Sequence, residues 1–206
     1  MRRLPLAIFL ALVLCAAFVV AGCGEEEELQ VVEGEPLELG EVSYNVQITR
    51  FLNPGDSEDE GYLAGQQPPK PGEAYLGVFL TIENDGGEEA DVPYAFKVRD
   101  TQAAENSSHG LGIYDPIPSS SVYALQLPGQ DESASGGFEE GAVEDLQPTT
   151  IPAGDELPVA NSTAATGVIG GAMLLFLVDQ EVAENRPLEL EVPGEGGERG
   201  FIELDI

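Results

Sequence analysis

YLGVFLTIE, residues 75–83, carries the two-residue period on which the fold turns. Leu76, Val78, Leu80 and Ile82 share one face, and Phe79 adds apolar bulk to the other. A strand that is apolar on both faces belongs in the middle of a sheet, covered from both sides. It stops at Asn84-Asp85-Gly86-Gly87, residue types that favour a turn.

Upstream, VSYNVQITRF (residues 42–51) alternates in the same way. Val42, Tyr44, Val46 and Ile48 are expected on one face, with Ser43, Asn45, Gln47 and Thr49 on the other. Asn53-Pro54-Gly55 ends this strand, because proline fixes φ and glycine permits positive φ. Residues 56–70, DSEDEGYLAGQQPPK, then read as an exposed loop. Downstream, YAFKVRD (residues 94–100) directs Tyr94, Phe96 and Val98 inward and Lys97 and Arg99 outward.

Residues 101–165 are rich in Ser, Gly, Pro, Glu and Asp and are expected to form a long insertion. VYALQL (residues 122–127) is a possible strand within it, and residues 111–117 hold another apolar patch. VIGGAMLLFLVD, residues 168–179, is too short for a membrane span and reads as a buried strand. LELEV (residues 188–192) and FIELDI (residues 201–206) alternate again, and the glycines between them predict a hairpin. Six or seven strands joined by turn signals, with 25 glycines, 15 prolines and no sustained helical period, predict an all-β, immunoglobulin-like antiparallel β-sandwich.

The order of these segments resembles the telokin-like, immunoglobulin-fold domains of bacterial secreted lipoproteins labelled DUF4352. The likeness rests on YLGVFLTIEN (residues 75–84), the acidic turn after it, YAFKVRD, Leu157-Pro158 before Gly167, LLFLVD (residues 174–179) and LELEV. It covers residues 40–100 and 155–206 and departs in the length of the segment between them. Its motifs are structural, so the resemblance implies a fold and brings no catalytic residue.

The N-terminus has a different composition. Arg2 and Arg3 precede an uncharged, largely apolar run ending in Val20-Ala21-Gly22-Cys23. A positive start, an apolar centre and a small-residue exit are the parts of a secretory signal peptide. Val20-Ala21-Gly22-Cys23 resembles the bacterial lipobox, which implies cleavage before Cys23 and a diacylglyceryl group on it. Two acyl chains are what stable anchoring requires, at about 0.8 kcal/mol per buried methylene. Residues 1–22 are therefore expected to be a lipoprotein signal peptide, residues 23–39 a lipidated cysteine with an acidic tether, and residues 40–206 the sandwich domain. Cys15 is lost with the leader, leaving Cys23 as the only cysteine and no intramolecular disulfide.

Eight basic and 38 acidic residues give a net charge of −30. The leader takes two of the bases and none of the acids, so the remaining 184 residues carry −32. Such a charge repels phosphate backbones and argues against nucleic acid as a partner. Attachment to the cell membrane on its extracytoplasmic face then falls to the lipid, and a protein partner is expected for a domain held there.

Catalytic chemistry is thinly represented. His109 is the single histidine, flanked by Ser107 and Ser108, and sequence adjacency does not make a triad. One histidine and no spare thiol leave no set of zinc ligands. Asp56, Glu58, Asp59 and Glu60 are the best calcium candidates, although their spacing departs from the calcium-loop pattern. No cofactor is expected, and a non-catalytic binding or scaffolding module is favoured over a weak calcium or cationic-ligand binder.

Overall fold

The computed structural model describes residues 29–92, 95–103, 112–125, 149–185 and 187–206. Two sheets pack face to face. One has the order β1 (Leu29–Val32), β12 (Arg199–Leu204), β11 (Leu188–Pro193), β6 (Lys97–Asp100) and β7 (Ile113–Tyr114). The other runs β10 (Ala172–Asp179), β4 (Glu73–Asn84), β3 (Val42–Leu52) and β2 (Leu37–Leu39), with β9 (Glu156–Leu157) on the far end of β4. A ribbon of β5 (Ala90–Val92) and β8 (Thr149–Ile151) accompanies them.

Between the sheets lies one apolar core. Tyr44, Leu76, Val78, Leu80 and Ile82 from the β4 sheet meet Val98, Leu190, Val192 and Ile202 from the other. The ribbon contributes Val92 and Ile151 to the same core, and Phe96 stands edge-on to Tyr44 with ring centroids 6.1 Å apart. β4 is central, as its two apolar faces require: β3 pairs along one edge, and β10 followed by β9 along the other. The hairpin of β11 and β12 forms where the alternation places it. This is an all-β, immunoglobulin-like sandwich.

Several expectations are corrected. The alternation along β3 breaks at a bulge between Val46 and Ile48, where Gln47 is the extra residue. Every side chain beyond it changes face. Ile48 points outward and is 38% exposed, whereas Thr49 is buried at 4%. The bulge is held in place: Gly34 N donates to Val46 O at 3.0 Å, and Thr49 N donates to Glu33 Oε1 at 3.1 Å. Asp205 N reaches the other oxygen of Glu33 at 3.1 Å, so a single carboxylate ties β3 to the chain end beyond β12.

Strands β1 and β2 lie ahead of residue 40, where the sandwich domain was expected to begin. β1 lies parallel to β12, from Leu29 opposite Gly200 to Val32 opposite Glu203, and β2 pairs with β3 in the facing sheet. The chain crosses from one sheet to the other between them, which makes this pair parallel in a mostly antiparallel structure. The strand expected over residues 168–179 begins only at Ala172. Gly170 has a positive φ of 73°, and Val168 is fully exposed. At Gly171 a Cβ would sit 3.1 Å from the Leu80 nitrogen, so a side chain there would push on the β4 backbone and glycine eases the approach. Residues 101–165 contribute β7, β8 and β9, and are thus partly woven into the sheets. VYALQL forms a turn with a single bridge from Ala124 to Met173, and its last two residues lie outside the described set, as does Tyr94.

Candidate functional site

The outer face of the β4 sheet is covered by a second apolar layer. Residues 56–70, expected as an exposed loop, fold back over it through successive turns, with Tyr62 N and Leu63 N both donating to Asp59 O at 3.1 Å. Tyr62 and Leu63 bury against Leu52, Phe79, Met173 and Leu175. The Tyr62 ring meets Phe79 edge-on at 5.1 Å and Tyr123 at 4.7 Å. Burial, and then the neighbouring Tyr123, pushes the Tyr62 phenol pKa up. Residues 117–125 close the β10 edge, with Ile117 N donating to Leu175 O at 2.7 Å and Met173 N to Tyr123 O at 2.7 Å. The acids at 56 and 58–60, with the Gln and Pro residues after them, mask the adjacent Tyr62-Leu63 pair in the sequence.

This folding disperses the four candidate calcium ligands. Asp59 is 2% exposed and turned inward, where its carboxylate accepts from Arg50 Nη2 and, at 2.8 Å, from Asn53 N. Asp56 Oδ1 accepts from Glu58 N at 3.0 Å in a local turn, while Glu58 and Glu60 are exposed. Among the described residues no three His, Cys, Asp or Glu side chains are grouped to hold a metal. Asp59→Ala is expected to cost about 2 kcal/mol, since it strips Arg50 and a backbone N–H of their acceptor; the half-exposed Arg50 keeps the loss below that of a fully buried pair. Urea unfolding of the two proteins measures it.

Clefts open at the surface formed by the described residues. The first, of about 330 Å³, is lined by Glu83, Asp85, Asp155 and Glu156 around Asn84. Asn84 is 1% exposed and fully engaged: Nδ2 donates to Glu88 O at 2.9 Å and Ile151 O at 2.8 Å, and Oδ1 accepts from Gly86 N at 2.9 Å. Its main chain bonds to Asp155 O and Gly154 N at 3.0 and 2.8 Å. One side chain therefore joins the end of β4 to the β5–β8 ribbon. Residue type alone marks Asn84 as a turn-former, because nothing local reveals the two carbonyls that it meets. The second cleft, about 430 Å³, lies between Val32, Glu33, Pro187 and Asp205. Both offer oxygen donors, and neither presents a histidine or thiol. Near the far end of β10, Tyr114 Oη donates to Asp179 at 3.1 Å; burial first, and then Asp179, pushes the Tyr114 pKa up. Cys23 and His109 lie outside the described residues.

The class defined by this architecture is an immunoglobulin-like β-sandwich with an acidic surface. Three solved structures are similar to it. An uncharacterized β-sandwich protein from Clostridium difficile 630 shares 13% identity at a TM-score of 0.45, over 88% of this chain and 97% of that one. A provisionally assigned lipoprotein, YcdA from Bacillus subtilis, shares 13% identity at 0.45, over 84% of this chain and 38% of that one. The YjhA protein from Bacillus subtilis shares 13% identity at 0.44, over 85% of this chain and 99% of that one. No protein family matches the chain, and no curated protein matches it either. Function has to be read from the chain's own residues.

Proposed function

We propose that this protein is a lipid-anchored, extracytoplasmic, non-catalytic module that binds or scaffolds another protein. The observation that carries the reading is the lipobox-like Val20-Ala21-Gly22-Cys23 at the exit of an apolar run, with the first described strand starting at Leu29. Five residues, four of them glutamate, lie between the cysteine and Leu29. The −32 charge of the mature chain keeps nucleic acid and anionic lipid headgroups at a distance.

Radiolabelled palmitate supplied to the native host is expected to enter the wild-type chain. Cys23→Ser abolishes the label and releases the protein from the membrane fraction. A purified wild-type chain that still begins at Met1 and carries no label overturns the reading. The acidic cleft around Asn84 supports a second reading, weak binding of calcium or cationic solutes. Calorimetric titration tests it: no heat, and no change in melting temperature at millimolar calcium, removes it.

A further inference from the structure

The segment GQQPPKPG, residues 65–72, joins the outer layer to the start of β4. A proline ring holds φ near −65°, and a residue preceding proline is driven to extended backbone. Gln67, Pro68 and Lys70 each precede a proline, and Pro68, Pro69 and Pro71 each carry the ring. Five consecutive residues are thus restricted toward the polyproline II helix, without a regular hydrogen-bond pattern of their own. With three residues per turn, Pro68 and Pro71 stand on the same edge, and Lys70 projects from another.

The segment is exposed yet tied down. Pro68, Lys70 and Pro71 face solvent, and Pro69 is half-buried. The Tyr75 hydroxyl donates to Gln67 O, and Gln66 Nε2 donates to Pro118 O at 2.9 Å. At the other end, Lys70 N donates to Glu73 Oε2 at 3.0 Å and Glu73 N returns to Lys70 O at 2.9 Å. Lys70, one of two lysines in the chain, forms no ion pair among the described residues. A ligand held in its bound shape beforehand loses little conformational entropy on binding.

Its place in the fold is informative too. Leu29 pairs with Gly200, which packs on Leu37; Leu37 pairs with Tyr44, and Tyr44 with Ile82. The tether therefore joins at the level of Ile82, and β4 runs from there back to Glu73, a distance of roughly 30 Å at 3.3 Å per residue. The proline segment stands at the end of the sandwich away from the anchor.

We propose that residues 67–71 are a preformed recognition segment for a protein partner with an aromatic-lined groove flanked by a carboxylate. Aromatic rings pack on the proline edge, and the carboxylate meets Lys70. The compartment of that partner rests on the lipid-anchor reading; the recognition chemistry does not.

The test is photo-crosslinking in the native host from p-benzoylphenylalanine placed at Gln67 of the full chain, with the joined peptide mapped by mass spectrometry. The expected product joins a tryptophan- or tyrosine-lined groove of another protein. It falls at least tenfold when Pro68, Pro69 and Pro71 are all changed to alanine, and similarly in Lys70→Glu, whose exposed side chain leaves the melting temperature unchanged. No product, a product with lipid, or a product that persists in Lys70→Glu and the triple variant alike overturns the proposal. Palmitate labelling is scored separately, so a lost label with a retained groove crosslink overturns the anchor alone.

Discussion

Replacing Phe79 by alanine is expected to destabilise the protein by about 4 kcal/mol, the range for removing a fully buried aromatic ring. In an ordinary sandwich an outward-facing residue of a central strand costs far less. Phe79 differs because Tyr62, Met173 and Leu175 cover it, leaving it without solvent exposure. Its ring also supports Gly77, whose ideal Cβ would lie 3.1 Å from Phe79 Cε2. The loss includes the edge-on contact with Tyr62, so residues 56–66 should become accessible to protease before the core unfolds. Guanidinium unfolding followed by tyrosine fluorescence, together with limited proteolysis, measures both effects. A loss below 1 kcal/mol would mean that the outer layer contributes little to the folded state.

Asn84→Asp should cost about 2 kcal/mol, because the buried Ile151 carbonyl loses its donor at the penalty for an unsatisfied buried group and the part-buried Glu88 carbonyl loses a second bond. The change is nearly isosteric, so packing is not the cause. A carboxylate facing Glu88 O and Ile151 O repels both, and Glu83, Asp85, Asp155 and Glu156 surround it with like charge. The β5–β8 ribbon should loosen first. Amide exchange in residues 90–92 and 149–151 is expected to accelerate in Asn84→Asp more than exchange in β4. Uniform acceleration across all strands would show that Asn84 does not couple the ribbon to the sheet.

The parts of this fold that were legible in the sequence are those where one residue advances the strand by one step. β4 and the β11–β12 hairpin keep their alternation throughout, and their faces follow directly. β3 keeps it only as far as Gln47. A period argument assumes that no residue is added, and an unpaired residue reverses every face after it. The bulge depends on Glu33 and Gly34, which lie in the turn between β1 and β2, so no local pattern announces it. The acidic loop failed for a different reason: composition averaged over residues 56–70 conceals Tyr62 and Leu63, whose burial depends on a hydrophobic face supplied by β4 and β10. The Asp59 carboxylate suggests a metal ligand in the sequence, yet its role follows from Arg50, nine residues earlier.

The parallel pairing of β1 with β12 would have a mechanical consequence if the chain is held at Cys23, as proposed. A pull on Leu29 along the strand axis would load the four register pairs from Leu29 to Val32 in shear, so that they give way together. The Glu33 carboxylate, bonded to Thr49 N and Asp205 N, lies just behind them as a second catch. With no disulfide to share the strain, resistance to being pulled apart is set by these few hydrogen bonds and the way they point.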